Sequence, residues 1–568
     1  MKNLKVQFKL IVYIFLFLNT FIFVSAKTSD KFSNAKDISN YFSGVLATND
    51  NQYEKSYSFF KSLNNLEDNH LVYPQYYQYS LVSLNKFRDA AKYSKKLKDK
   101  KIDNFESNLI SVVYQLKNKN FENALLYLKQ MDSEFQPGTI QNLLYTSLNT
   151  WINFNNISDL DSGLKLLDAI PENFKYIKNI QKTFAYCYFN SSRTNEMFKQ
   201  LTSNPNVNYS RYNFFHSNYL ISKNLETPTK KIIKLSLEKY PKNLILNQLK
   251  LDFEKKKRFN NKFDCKNITD VIAEIFYIAS NALAAQNNLL VSNFHLNIAK
   301  YLNPNFVSFE ALHAENFLRL QENEKAKKIY HTIKKKGSVY NWYASKQIAS
   351  ILIQQDKKKD AVISLKETFE EIVNPTIYQL FDYAEFLKNN EKFKESIKFY
   401  TMLLTLIDTT HVLYPKIMDG RGVAYERSNQ WNKAEIDLLS SLNATPDNAY
   451  AINYLAYSWI EKGTNIKKAL DMLKKANRLK PNDGYITDSL GWALFKLKDY
   501  KEAKLYLEMA IKNMASDPVV NDHYADALWM NNKKLQARYY WSYVLKLEKI
   551  EEKLKKSIEK KLLFGLKS

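Results

Sequence analysis

Histidine and cysteine are the side chains of this chain best suited to metal or nucleophilic chemistry, and their spacing supports neither. The 568-residue chain has seven histidines and two cysteines. No two histidines lie four positions apart and no HExxH motif occurs, so a zinc site on one helix face is not predicted. Glycine-rich phosphate loops and the GxSxG nucleophile motif are also absent. We therefore expect no enzyme activity, no cofactor and no metal site.

Three residues come closest to a reactive setting. His523 stands between Asp522 and Asp526 on a predicted helix, where we expect a satisfied surface or groove histidine rather than a catalytic one. Cys187 and Cys265 are too few for a disulfide framework in a chain of this length. We expect each to be a small buried hydrophobic residue, and a bridge between them is the alternative.

The composition indicates a nearly all-helical protein. Only 10 glycines and 12 prolines occur, which disfavours many tight β-turns and suits helices joined by short polar corners. The formal net charge of +25 comes mainly from scattered lysines. Such an excess can attract anionic partners, including a membrane surface, but an AT-rich coding sequence produces the same composition without any binding role. No nucleic-acid-binding motif accompanies it, so nucleic acid is not expected as a partner.

The N-terminal segment has the pattern of a secretory signal. Three lysines precede the apolar run LIVYIFLFLNTFIFVSA, residues 10–26. We expect a signal peptide over residues 1–26, cleavage after Ala26, and export to the periplasm or the periplasmic face of the envelope. The alternative is an uncleaved N-terminal anchor, for which a run of about 17 residues is at the lower limit. No second stretch is expected to span a membrane.

Small residues recur at a nearly fixed period over the second half of the chain. The members of the first series lie about 35 positions apart; they are Ala279, Ala314, Ala349, Ala384, Gly422, Ala456, Gly491 and Ala525. A second series follows it by 12 or 13 positions: Ala326, Ala361, Ser396, Ala434, Ala469, Ala503 and Ala537. Small residues at that offset allow two antiparallel helices to cross closely. This is the tetratricopeptide repeat (TPR) pattern.

The repeat predicts an all-α fold, a right-handed α-solenoid (TPR superhelix) of about 12–14 antiparallel helical pairs. We expect an irregular TPR-like array over residues 27–253, a charged seam or long corner at 254–269, and a regular TPR array over 270–546. Residues 547–568 are predicted to form a C-terminal capping helix, since apolar residues recur there at helical spacing. A helix on a membrane surface is the alternative for this Lys-rich segment.

The first helix of each repeat is expected to line a concave groove. Counted from the start of a repeat, positions 2, 5, 9 and 12 should face inward. In the last three repeats, the side chains predicted to bind a partner are Tyr450, Asn453, Tyr457, Tyr485, Asp488, Trp492, Phe495, Asp522, Asp526 and Trp529. Aromatic rings bury a large area at low entropic cost, and polar groups between them can bond to a peptide backbone. For Trp492 and Phe495, packing between adjacent repeats is the alternative.

The last quarter of the chain carries motifs that resemble those of exported bacterial TPR proteins. The segments GRGVAYERSNQWNKAE, NYLAYSWIEKG, DSLGWALFKLKDYKEA and NDHYADALW lie within residues 420–547. They resemble the outer-membrane TPR lipoproteins that serve as adaptors for periplasmic carboxyl-terminal processing proteases. The resemblance implies a protein partner and suggests a periplasmic protease. Lys27-Thr28-Ser29 follows the signal where those adaptors have a lipidated cysteine, so a lipid anchor is not implied.

These features together predict a non-catalytic TPR scaffold or adaptor of the bacterial cell envelope, which binds a protein or peptide partner in its concave groove. An organising component of an envelope polysaccharide or cell-wall assembly and export machine is the alternative function. A catalytic domain hidden within residues 100–270 is disfavoured, because that region has helical patterning and no glycine-rich loop. The sequence leaves the oligomeric state open.

Overall fold

The computed structural model describes residues 35–63, 66–68, 70, 72–131, 135–203, 208–255, 263–547 and 550–566. The predicted signal peptide, residues 1–26, and the central part of the predicted seam at 254–269 lie outside the described residues.

Thirty α-helices and three short 3₁₀ turns make up the regular structure, and no β-strand occurs among the described residues. In sequence order the helices form fourteen helix–corner–helix pairs and two single helices, which confirms the all-α fold class and the upper end of the predicted number of pairs. The helices are α1 Ala35–Asn49, α2 Tyr53–Lys61, α3 Val72–Ser83, α4 Phe87–Asp99, α5 Phe105–Lys117, α6 Phe121–Lys129, α7 Ile140–Asn153, α8 Leu160–Leu167, α9 Lys175–Tyr188, α10 Thr194–Thr202, α11 Ser210–Ser222, α12 Glu226–Lys239, α13 Leu244–Glu254, α14 Ile268–Ala285, α15 Leu289–Leu302, α16 Val307–Arg319, α17 Asn323–Lys334, α18 Ser338–Gln354, α19 Lys358–Glu370, α20 Ile377–Asn389, α21 Phe393–Leu404, α22 Tyr414–Arg427, α23 Trp431–Ala444, α24 Ala449–Lys462, α25 Ile466–Leu479, α26 Gly484–Lys496, α27 Tyr500–Asn513, α28 Pro518–Met530, α29 Lys534–Val544 and α30 Glu552–Phe564.

Asparagine forms many of the corners for which other proteins use glycine. The backbone φ angle is between 54° and 63° at Asn85, Asn190, Asn287, Asn429 and Asn532, each of which lies between the two helices of a pair. Asparagine adopts this left-handed conformation more readily than most residues, because its short amide can form local hydrogen bonds. The chain can therefore make many tight corners with few glycines.

The two series of small residues lie where the helices of a pair cross. Ala503, from the second series, is fully buried. A Cβ atom on Gly491 would lie 2.6 Å from Leu507 Cγ, and one on Gly422 would lie 2.9 Å from Leu438 Cγ. Both distances are shorter than two carbon atoms tolerate, so even an alanine would have to displace the facing leucine.

The chain divides into two compact units, one that ends at Ile351 and one that begins at Leu352. The division falls inside α18. The predicted seam at 254–269 lies within the first unit.

In the first unit the chain folds back on itself. Helices α14 and α15 pack against α3, α5 and α7, which lie much earlier in the sequence. The rings of Tyr79 and Phe294 lie 4.8 Å apart, and those of Phe87 and Tyr301 stack at 3.8 Å between centroids. These helices therefore present no open inner wall to a partner, in contrast to the open groove expected of the whole array.

A buried ion pair fastens α14 to α11. Arg211 Nε and Nη2 donate to the two carboxylate oxygens of Glu274 over 2.7 and 2.6 Å. The guanidinium also lies over the rings of Tyr277 and Phe306, 4.1 and 4.6 Å from their centroids. Burial raises the pKa of Glu274, and the Arg211 charge opposes that rise. The bidentate geometry satisfies both buried charges.

Cys187 and Cys265 form a disulfide, with their Cα atoms 5.9 Å apart. The expectation of two separate thiols is therefore wrong, and the bridge stated as the alternative is present. The disulfide joins the end of α9 to the segment just before α14. Together with the Arg211–Glu274 ion pair, the disulfide is the second link that holds α14 to an earlier helix.

One helix among the described residues, Ile268–Ala285, is long and apolar enough to cross a membrane by length and composition. Of its apolar window, 67% is buried inside the first unit. We expected no stretch after the signal to be long and apolar enough to cross a membrane, and this helix corrects that expectation. In the fold this segment is α14, the core helix that carries Glu274.

Replacing Arg211 with Met should destabilise the first unit by about 3–5 kcal/mol, because Glu274 would remain buried without its counter-charge. Hydrogen exchange in increasing urea should show faster exchange in α11 and α14, while α26 in the second unit keeps its protection. Lys230→Met is the matched control, since it removes an exposed pair with Glu226 at 3.8 Å worth roughly 0.5 kcal/mol or less. Equal protection in the two variants would contradict the prediction.

Candidate partner-binding face

The side chains predicted to bind a partner stand on α24, α26 and α28, the first helices of the last three pairs. Each helix begins at a capping side chain in the same repeat position. Asn448, Asp483 and Asp517 each accept a hydrogen bond from the backbone N–H three residues later, over 3.1 to 3.3 Å. These caps satisfy N–H groups that a first turn leaves without a partner. They start the three helices in the same register, so equivalent positions face the same way.

Six of the ten predicted residues keep accessible surface, five of them on α24 and α26 and one, Trp529, on α28. Tyr450 and Tyr485 each expose 58% of their surface, and they occupy the same position in successive repeats. Asn453, Tyr457 and Phe495 are half-buried on the same two helices. A partner that lies along α24 and α26 can reach this open group.

Trp492 packs between repeats. Its ring stacks on Phe495, with centroids 4.9 Å apart, and on His523 of the next repeat, with centroids 3.9 Å apart. Its Nε1–H donates to Glu461 over 2.6 Å. Only 9% of Trp492 is exposed. Trp492 therefore packs between adjacent repeats, which is the alternative stated for it from the sequence.

Asp488 and His523 form a buried pair across the same repeat boundary. The two carboxylate oxygens of Asp488 lie 3.1 and 3.0 Å from His523 Nδ1, and each residue is 6% exposed. Burial by itself lowers the pKa of His523, but the neighbouring carboxylates, Asp488 foremost, outweigh it and the net shift is upward. His523 is therefore satisfied as expected, but it is a buried link between repeats and not a surface residue.

The C-terminal helix α30 covers the acidic residues of the last repeat. Lys561 Nζ donates to Asp522 and to Asp526, each over 2.8 Å, and Trp541 Nε1–H donates to Asp526 over 3.0 Å. Asp522 and Asp526 are 6% and 3% exposed. Burial and the Asp522 charge raise the pKa of Asp526 to about 6, and Lys561 opposes that rise.

The residues that follow α30 cover Trp529. Its Nε1–H donates to the carbonyl oxygen of Leu566 over 3.1 Å. Gly565 has a φ angle of +74°, and a Cβ atom there would lie 2.2 Å from Trp529 Cζ2. Glycine is required at this position both by the backbone angle and by the close approach to the ring. Trp529 thus contacts the chain's own C-terminal segment where a partner had been predicted.

The ten predicted side chains therefore fall into two groups. The open group is Tyr450, Asn453, Tyr457, Tyr485 and Phe495. The covered group is the buried Asp488, Trp492, Asp522 and Asp526 together with the half-buried Trp529, which contacts the C-terminal segment. The prediction missed Lys561, which stands in line with Leu554 and Ile558 at helical spacing. A lysine within the apolar stripe of a capping helix was the sequence signal for a buried counter-charge.

The chain was compared with protein families, with curated proteins and with solved structures. No protein-family model matches the chain. A stretch of 169 residues is 27% identical to a TPR repeat-containing protein of Pseudomonas aeruginosa and covers 28% of this chain and 27% of that protein, so the chain spans about a quarter of that relative's length. Among solved structures, a tetratricopeptide repeat protein from Parabacteroides merdae is 18% identical, with a TM-score of 0.32 and coverage of 39% of this chain and 87% of that one. MamA AMB-1 is 16% identical, with a TM-score of 0.26 and coverage of 31% and 98%.

Replacing Lys561 with Met should destabilise the last repeat by about 3 kcal/mol at pH 7.5, because Asp522 and Asp526 would lose their shared counter-charge. The loss should shrink at pH 5, since Asp526 has a pKa raised to about 6 and takes up a proton there. Hydrogen exchange of α28 and α30 at the two pH values measures both effects. Lys560→Met, one position away and exposed, is the control and should change neither. A loss in K561M that is the same at both pH values would contradict the assignment.

Proposed function

We propose that this chain is a non-catalytic TPR scaffold or adaptor of the bacterial cell envelope, which holds a protein or peptide partner on the open group of its first helices. One observation carries the choice of site. Tyr450 and Tyr485 stand at equivalent repeat positions and each expose 58% of their surface. Large aromatic side chains exposed in a regular row are typical of surfaces that bind other proteins.

The spacing of the two tyrosines favours an extended peptide. Neighbouring packed helices lie about 10 Å apart, and an extended chain rises about 3.3 Å per residue. In the extended polyproline II conformation, which has three residues per turn and rises about 3.1 Å per residue, side chains three residues apart share one face, so two such apolar side chains of a partner could contact Tyr450 and Tyr485 at once. The half-buried Tyr457 and Phe495 add apolar surface to the row.

The motifs in residues 420–547 favour a particular class of partner. They resemble those of adaptors for periplasmic carboxyl-terminal processing proteases. We therefore infer that the partner is such a protease or a polypeptide that it processes.

Two features support export. The N-terminal segment, residues 1–26, has the lysines, apolar run and small-residue end of a secretory signal. The Cys187–Cys265 disulfide is of a kind that persists in the periplasm and is rare in the cytosol.

A photo-crosslinking amino acid at Tyr450 or Tyr485 should give one discrete adduct in intact cells, because both positions face the bound partner. The same amino acid at Ile436, which is 62% exposed on a second helix, is the matched control and should not give that adduct. Mass spectrometry then identifies the partner. Tyr450→Ala with Tyr485→Ala should weaken its binding by about tenfold or more. The site is wrong if Ile436 yields the same adduct, or if neither tyrosine position yields one.

The mature protein should begin at Lys27 and be recovered from the periplasmic fraction with Cys187 and Cys265 oxidised. N-terminal sequencing, together with thiol alkylation before and after reduction, tests both points. A chain that retains residues 1–26 in the membrane fraction would support the uncleaved anchor instead. A full-length chain with two free thiols in the cytosol would contradict export.

A further inference from the structure

The row of exposed side chains that begins with Tyr450 and Tyr485 continues into the last repeat. Each tyrosine is the second residue of its helix, and Val519 is the second residue of α28. Val519 exposes 43% of its surface, so this position stays open in three successive repeats. Helix α24 packs against α26, and α26 packs against α28. A partner that follows the row past Tyr485 therefore reaches Val519.

Helix α30 extends the register of the first helices by one more place. Asp517, which caps the N-terminus of α28, lies 34 positions after Asp483, which caps α26. Glu551, the residue before α30, lies 34 positions after Asp517. Lys553 is accordingly the second residue of α30. The row therefore runs over two tyrosines and a valine and ends at a lysine.

A cavity lies beside Val519, between the beginnings of α28 and α30. Its volume is about 430 Å³, which is within the range of pockets that bind small ligands. Three apolar side chains line it, those of Pro518, Val519 and Leu554, and three charged ones, those of Asp517, Glu551 and Lys553. This lining suits a group that is apolar over most of its surface and polar at one end.

The environment of Tyr450 shows which group such a space accepts. The Asp483 carboxylate, through a hydrogen bond and its charge, raises the pKa of Tyr450. The phenol hydroxyl of Tyr450 therefore lies near the residue that caps the next first helix. In the last repeat the corresponding residues are Val519 and Glu551, and a valine side chain is too short to reach that carboxylate. The cavity is thus where a third tyrosine of the row would lie.

We propose that this cavity binds a tyrosine side chain of the extended peptide that contacts the two exposed tyrosines. Its ring packs on Val519 and Leu554, its hydroxyl donates to the Glu551 carboxylate, and the Lys553 ammonium lies over the ring. Three residues of a polyproline II segment rise about 9 Å, close to the spacing of about 10 Å between packed helices. The peptide therefore carries two apolar residues and a tyrosine at intervals of three. This inference rests on the proposed peptide site and adds the residue that sets its specificity.

A synthetic peptide tests the cavity. The probe is a fluorescent proline-rich peptide with tyrosine, leucine, leucine and tyrosine at every third position, so that either direction of binding brings one tyrosine to the cavity. Two control peptides have phenylalanine or alanine in place of both tyrosines. Fluorescence anisotropy with the full-length protein should show binding weaker by about tenfold or more for the alanine peptide. The phenylalanine peptide should bind about threefold more weakly, because it lacks the hydroxyl.

Variants assign the tyrosine preference to the cavity. Val519→Tyr fills the cavity from within the chain and should fold normally, because the two preceding repeats carry tyrosine at this position. It should bind the three peptides with similar affinity, whereas the matched control Val519→Ala should keep the preference for tyrosine. Glu551→Ala should abolish the difference between the tyrosine and phenylalanine peptides. The Glu551 side chain makes no capping hydrogen bond, so its removal should leave α30 intact.

Three results would overturn the inference: equal binding of the three peptides to the wild-type protein, no binding of any of them, or a tyrosine preference that survives in V519Y. The adduct expected from a crosslinker at Tyr450 in intact cells does not require the cavity. That adduct together with any of the three results would leave the peptide site in place and remove the cavity from it. Failure of both crosslinking positions would overturn the peptide site and this inference together.

Discussion

The second unit depends on one steric constraint, the close crossing of two helices where one or both carry a small residue. Gly491 faces Leu507 and Gly422 faces Leu438 at distances that leave no room for a Cβ atom. Because each pair is held at the same crossing point, successive pairs repeat with nearly the same rotation. A side chain that is exposed in one repeat is therefore exposed at the same position in the next. The row formed by Tyr450 and Tyr485 is a direct consequence.

The sequence pattern predicted those features that depend on contacts between residues close together in the chain. The two series of small residues gave the helix pairs of the second unit, because the crossing residues lie only 12 or 13 positions apart. The count of inward positions selected Tyr450 and Tyr485, which are exposed, but it also placed the buried Asp522 and Asp526 in an open groove. It failed there because nothing in a single repeat shows that a lysine of the following helix pairs with them. The Cys187–Cys265 bridge was stated only as an alternative, and the packing of Tyr79 on Phe294 was not predicted, because both depend on the path of many intervening helices.

The two units use the same helix pair in different ways. In the first, α14 and α15 pack against α3, α5 and α7, and a buried charge pair and a disulfide fasten α14 in place. The surfaces of α14 and α15 are therefore buried against helices of the same unit. In the second unit, the C-terminal helix covers only the last repeat, and α24 and α26 keep aromatic side chains at the surface. Which helices are covered and which keep exposed aromatic side chains follows from which of them meet a later segment of their own chain.

The packing of α15 against α3 also has a consequence for synthesis. Helix α3 ends at Ser83, whereas α15 is complete only at Leu302. At ribosomal speeds of about 5–20 residues per second, roughly ten to forty seconds separate the appearance of the two surfaces. During that interval the ring of Tyr79 has no Phe294 to cover it. Part of the future core of the nascent amino-terminal half is therefore exposed to water until α15 has been synthesised.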